Sequence, residues 1–199
     1  MGKLIVTEFI SLDGVIEDPG GVEGSPHGGW SFRFPTPEGQ QFKFEELLAG
    51  DVQLMGRVTY EGFAAAWPAM EETAGEFGKR MNSMPKVVVS TTLIEATWNN
   101  TTIISGDVAG EVAKLKGRYA GDVLVPASAT LVDTLREHGL VDEYRLMVHP
   151  VVLGSGKRLF KDGAAGTILE LVDYRKAGPD VLLLTYRPAK KQPDEAPER

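Results

Sequence analysis

Short apolar runs of strand character alternate with stretches of helical spacing along most of this chain. Lys3 to Ile10 reads as a strand closed by Ser11-Leu12-Asp13-Gly14. Glu38 to Ala49 has helical spacing, with Phe42, Leu47 and Leu48 as core contacts. Val52 to Met55 is a second strand, and Thr59 to Ala66 a helix that Trp67-Pro68 should stop. Glu71 to Met84 predicts a further helix, Lys86 to Ser90 and Thr101 to Ser105 two strands, and Val108 to Tyr119 a helix. Asp122 to Val125 is another buried-type strand, leading into a helix from Thr130 to His138 that Gly139 terminates. Glu143 to Val151 is a strand. Ile168 to Lys176 and Val181 to Arg187 then pair as a hairpin around Gly178-Pro179-Asp180.

Strand–helix alternation that gives way to strands alone implies an α/β fold, with one mainly parallel sheet and an antiparallel C-terminal end. No internal repeat or composition break divides the chain, so residues 1–187 read as a single domain and residues 188–199 as a disordered tail. The segment from Asp18 to Pro37, rich in glycine and proline but carrying Trp30, Phe32 and Phe34, is a long loop. It either covers a site or is pinned to the core by its aromatics.

Composition narrows the chemistry. The 199 residues carry 42% apolar and 25% charged side chains, the profile of an ordinary globular domain. A net charge of −7 argues against nucleic acid as a partner. The chain has no cysteine, and its three histidines are scattered, so neither a thiolate nor a local metal motif is expected. No apolar run reaches the roughly 20 residues of a membrane span, and no signal-peptide pattern precedes the first strand, so a cytoplasmic location is expected.

Ligands in sheets of this class bind outside the carboxyl ends of the strands. Three strand ends carry small or polar residues there: Gly56-Arg57, Ser90-Thr91-Thr92, and Pro126 to Thr130. In Leu54-Met55-Gly56-Arg57-Val58-Thr59-Tyr60, a strand ends in glycine and opens a helix. Free backbone N–H groups at such a turn attract an anion, and arginine can fork onto phosphate. The plain alternative is a strand–turn–helix with a surface arginine. Asp13 could orient a substrate or fix its own turn, and Trp30 could stack on a heterocycle or pack the loop. His149 reads as a satisfied core or interface histidine, and Glu8 faces either solvent or a cleft. Gly154-Ser155-Gly156-Lys157 lacks the strand–loop–helix setting of a P-loop.

Several segments occur together in one order: Ser11 to Gly14, Leu54 to Tyr60, Val87-Val88-Val89-Ser90-Thr91-Thr92-Leu93, Gly139-Leu140-Val141-Asp142-Glu143, and Pro150 to Phe160. With these the chain resembles the dihydrofolate reductase-like superfamily. More closely, it resembles the bacterial proteins related to the reductase domain of riboflavin biosynthesis. The resemblance implies a mixed sheet of about eight strands, NADPH (or NADH) across the strand carboxyl ends, and a homodimer. It implies a reductase that passes a hydride to a small pteridine- or pyrimidine-type heterocycle. The alternative is a non-catalytic module that binds a nucleotide or small molecule on the same fold. By the resemblance, Gly56, Arg57 and Thr59 contact cofactor phosphates, and Ser90 and Thr91 lie near the adenosine phosphate. The pyrophosphate lies on the turn Ala127, Ser128, Ala129, Thr130 and Leu131. Asp13, Trp30 and Gln40 are the substrate-side candidates, and no catalytic residue is assigned.

The departures are specific. Pro126-Ala127-Ser128-Ala129 replaces a turn that carries glycine in relatives, so any positive φ there is costly. Gln40 stands where dihydrofolate reductases place a carboxylate. Thr91 stands where an NADPH-selective arginine is common. Thr7 and Pro126 stand where riboflavin reductases carry lysine and glutamate.

Overall fold

The first apolar run becomes β1 (Leu4–Ser11) in the computed structural model, which describes residues 2–190. After it come α1 (Pro37–Ala49), β2 (Gly50–Gly56), α2 (Arg57–Met70), α3 (Gly75–Ser83), β3 (Lys86–Val89) and β4 (Thr101–Ile104). The chain continues through α4 (Val108–Arg118), β5 (Asp122–Pro126), α5 (Ala129–Glu137), β6 (Glu143–His149), β7 (Leu169–Ala177) and β8 (Val181–Pro188). These strands form one eight-stranded sheet in the order β4-β3-β2-β5-β1-β6-β8-β7. Pairing is parallel from β4 through β6 and antiparallel for β6–β8 and β8–β7, the α/β sheet with an antiparallel end that the sequence predicts.

The period of two along β1 sorts its side chains to two helical layers. Leu4 and Val6 pack with Val112 and Leu115 of α4 and with Leu131 and Leu135 of α5. Ile5 packs on the other face with Leu47 of α1, Tyr60 of α2 and Met81 of α3. From β1 the chain builds outward through β2, β3 and β4, then returns to insert β5 between β2 and β1. The carboxyl ends of these central strands are where such sheets hold ligands.

Four local expectations change. Pro68 does not stop α2, which runs on to Met70. Pro68 is exposed there, so its ring meets solvent rather than a packed layer. The following helix starts only at Gly75, whose φ of +58° breaks the chain direction after a turn. Leu48 is exposed rather than in the core, because Leu47 takes the inward position. Pro188 closes β8, and the Ala189 N–H donates to the Ile168 carbonyl at 2.9 Å, so the strand takes up the start of the expected tail. Residues 191–199 of that tail lie outside the described residues.

Among the described residues, no helix is long and apolar enough to cross a membrane, and no cluster of three or more His, Cys, Asp or Glu could hold a metal.

Candidate functional site

The β2–α2 and β5–α5 junctions lie side by side because β5 pairs with β2. Together they line a cavity of about 270 Å³ that contains Gly56, Arg57, Thr59, Ala127, Ser128, Ala129, Thr130 and Leu131. These are the residues expected to hold cofactor phosphates, now in one place. The helix starts support that use. Thr36 caps α1 and Asp107 caps α4 through their side chains, but α2 and α5 have no side-chain cap. α3 also lacks one, but it starts away from this cavity. Two N-termini left open on one cavity present N–H groups and two positive dipole ends to whatever enters. Arg57 and Lys157 add cations, while Glu17 and Glu23 also line the cavity. Lys157 pairs with Glu17 at 3.4 Å. Burial raises the Glu23 carboxyl above its usual range.

The turn adopts the conformation that its composition makes costly. Ala127 has φ +53° and Ser128 φ +73°, two successive left-handed residues with no glycine. Such conformations persist where the surroundings over-determine them and cluster at ligand sites. Here the Gly56 N–H donates to Ser128 Oγ at 2.9 Å, and Ser128 Oγ lies 2.7 Å from Thr59 Oγ1. The Ser128 hydroxyl therefore occupies groups that would otherwise face an anion. Arg57 is turned along the helix surface to Glu61, at 2.9 Å.

A second cavity, of about 780 Å³, opens beside α1 at the ends of β1 and β6. Aromatic and sulfur side chains dominate its wall: Phe9, Phe32, Phe34, Phe44, Phe77 and Met147. Gln40 lines it. Lys43 lines it too, but its ammonium binds Glu46 at 2.8 Å and the Thr7 hydroxyl. Glu46 is further held by Thr7 at 2.6 Å and Arg145 at 3.5 Å. The long loop is both pinned and covering. Asp18 gathers the N–H groups of Val22, Glu23 and Ser25 at 2.7–3.0 Å, while Phe32 and Phe34 reach the cavity wall.

Four candidates sit elsewhere. Trp30 is fully buried, donates from Nε1 to the Glu17 carbonyl at 2.9 Å, and stands edge-on to His149. It packs behind the cavity and has no free face for a ligand. Asp13 accepts from Ser11 Oγ and from the N–H groups of Leu153 and Gly154 at 2.7–3.1 Å. Those hydrogen bonds, the Ser11 hydroxyl first, lower its carboxyl to about 2, so it clamps the turn after β1 to the segment after β6. Ser90 and Thr91 follow β3, one strand out from Gly56 and outside both cavity walls. Ser90 Oγ accepts the N–H groups of Thr92 and Leu93 at 3.1 and 2.9 Å, a local turn.

Two residues that the sequence assigns to no site gain a definite setting in the structure. His149 is buried but lines the large cavity. Glu8 is 3% exposed, beside the strained turn, and its Oε1 has no hydrogen-bond partner. Burial raises its carboxyl well above the usual range, against the opposing charge of Lys43 and a hydrogen bond from the Ala127 backbone. The sequence alone leaves Glu8, a polar position among β1's apolar ones, open to either solvent or a cleft, and reads His149 as a core or interface histidine.

Comparison with known proteins gives a consistent picture. Residues 2–183 match the family model of the RibD C-terminal domain. The uncharacterized protein YyaP of Bacillus subtilis is 32% identical over 186 residues, covering 92% of this chain and 94% of that one. A protein provisionally assigned to riboflavin biosynthesis, from Shewanella sp. PV-4, superposes with a TM-score of 0.72 at 21% identity, over 94% of this chain and 99% of that one. The dihydrofolate reductase of Enterococcus faecalis, solved with NADP(H), superposes with a TM-score of 0.61 at 15% identity, over 95% of this chain and 98% of that one. At these identities the solved structures establish a shared fold.

Proposed function

The chain belongs to the RibD C-terminal domain family, and from that premise we propose that it is a reductase that uses NADPH, or NADH, to reduce a small pteridine- or pyrimidine-type heterocycle. The observation that carries the reading is the pair of uncapped helix N-termini, at Gly56 and Ser128, opening on one cavity with Arg57 and Lys157. That set of groups suits a diphosphate. The aromatic cavity at the neighbouring strand ends suits a planar ring.

When bound, a reduced nicotinamide supplies the hydride. The chain then has to hold two rings together and keep water out. The α2 and α5 N-termini hold the phosphates, Arg57 leaves Glu61 to fork onto one of them, and the phenylalanine wall excludes water around the acceptor ring. The proton that completes the reduction comes from water or a substrate group, since among the described residues Glu76 is the one carboxylic acid lining the larger cavity, and it pairs with Lys79 at 2.8 Å.

A binding module without turnover is the second reading, and the Ser128 hydroxyl on the Gly56 N–H favours it. Titrating the protein with NADPH and with NADH by fluorescence tests the cofactor half. Saturable binding below the millimolar range supports it, and no binding there refutes it. Consumption of NADPH with a heterocycle present separates reductase from module.

We further propose a cytoplasmic homodimer. β7 is a sheet edge whose Leu171, Val172 and Tyr174 are exposed, and a second copy would cover it. Light scattering at micromolar protein should give twice 21.6 kDa; a monomer refutes the dimer.

A further inference from the structure

The tautomer of His149 is set by its neighbours. Nδ1 lies 2.9 Å from the Met147 carbonyl oxygen. A carbonyl can only accept, so Nδ1 carries the proton and Nε2 presents a lone pair. Nε2 makes no hydrogen bond to any described residue. The ring cannot swing to find a partner, because Trp30 stands edge-on at 5.2 Å and Phe9 and Phe34 pack at 5.6 and 6.0 Å. Burial also holds the imidazole below its usual pKa, so it stays neutral at neutral pH. His149, with this unpartnered acceptor, thus lines a cavity whose wall carries five phenylalanines.

The other lining groups select against negative charge. The cavity's cation, Lys43, is spent on Glu46 and Thr7. A phosphate that drew Lys43 away would leave Glu46, itself 3% exposed, short of its nearest counter-charge. Glu76 lines the same cavity with its carboxylate paired to Lys79 at 2.8 Å, so it brings no free positive charge for an anion either.

We propose that the larger cavity selects an uncharged, unphosphorylated planar heterocycle that donates a ring N–H to His149 Nε2. The wall then stacks and encloses the ring, and His149 sets its orientation by accepting from a lactam- or amidine-type edge. Gln40, from α1, can both donate to and accept from such an edge. The inference rests on reading this cavity as the substrate site, but it concerns recognition rather than hydride transfer.

The probes are lumazine, which has ring N–H groups, and its N,N-dimethyl analogue, which lacks those on the pyrimidine ring. Binding to the whole protein is measured by calorimetry. Lumazine should bind about tenfold tighter than the methylated analogue, the loss expected when a fixed acceptor goes unmet. In His149→Phe, which keeps an aromatic ring there, the two probes should bind alike, and His149→Gln should recover part of the preference. Excess ribose phosphate should not displace lumazine. Equal binding of both probes to the native protein, no lumazine binding, or displacement by ribose phosphate overturns the proposal. If His149→Phe does not fold, the contrast between the two probes on native protein still decides. A protein that ignores NADPH yet discriminates the probes through His149 refutes the reductase reading and leaves this one standing. One that consumes NADPH on another substrate but ignores lumazine does the reverse.

Discussion

Replacing Ser128 with glycine should loosen the fold slightly and tighten the cofactor. In the native chain Ser128 has φ +73°, which costs a residue with a Cβ about 1 kcal/mol. Its hydroxyl makes two part-buried contacts, to the Gly56 N–H at 2.9 Å and to Thr59 Oγ1 at 2.7 Å, each worth about 1 kcal/mol net. Ser128→Gly relieves the first and loses the second pair, a net loss of about 1 kcal/mol. Ser128→Ala keeps the strain and loses the contacts, about 2 kcal/mol. Ala127→Gly, at φ +53° and with no side-chain hydrogen bond to lose, should gain about 1 kcal/mol. Cofactor affinity should move the other way. A phosphate oxygen that takes the Gly56 N–H must first displace the serine hydroxyl, so Ser128→Gly should bind NADPH about fivefold tighter, close to one hydrogen bond. Urea unfolding and fluorescence titration on the same preparations read both quantities. Weaker NADPH binding in Ser128→Gly would refute the reasoning, because the hydroxyl would then be a phosphate ligand. Destabilisation by Ala127→Gly would refute the strain argument.

Two further outcomes follow from single residues. Arg57→Ala breaks only an exposed pair with Glu61, so unfolding should change by less than about 0.5 kcal/mol, while NADPH binding should weaken by about 1.5–3 kcal/mol. Unchanged affinity excludes the phosphate role. Glu8 has a folded pKa raised by burial above its unfolded value, so the folded state holds the extra proton and stability falls as pH rises from the unfolded value through the folded one. Glu8→Gln removes that loss and should raise the melting temperature at pH 8 more than at pH 4; an equal shift at both would show that Glu8 is not held protonated.

Much of the architecture is readable because strands of a parallel sheet covered on both faces are continuous apolar runs, as in Val87 to Val89 and Val123 to Val125. The phosphate cradle is readable too, since Gly56-Arg57-Val58-Thr59 and Ala127 to Leu131 carry its residue types at two strand ends. What the text hides is long-range or conformational. Lys43, Glu46, Thr7 and Arg145 come from three different elements, so no local spacing announces their ion cluster. The positive φ angles at Ala127 and Ser128 fall where no glycine signals them. Trp30 could stack on a ligand or pack the loop, and only its contacts with Glu17 and His149 decide for packing. His149 looks like a core residue until the structure places it in the wall of the large cavity with only one of its two nitrogens hydrogen-bonded.

The most direct test of the account is a crystal structure of the protein soaked with NADP⁺. The diphosphate should lie within hydrogen-bonding distance of the backbone N–H groups of Gly56 to Thr59 and Ala127 to Ala129, with the Ser128 hydroxyl turned off the Gly56 N–H. Nucleotide bound elsewhere, or an unchanged Ser128–Gly56 bond at saturating nucleotide, would contradict it.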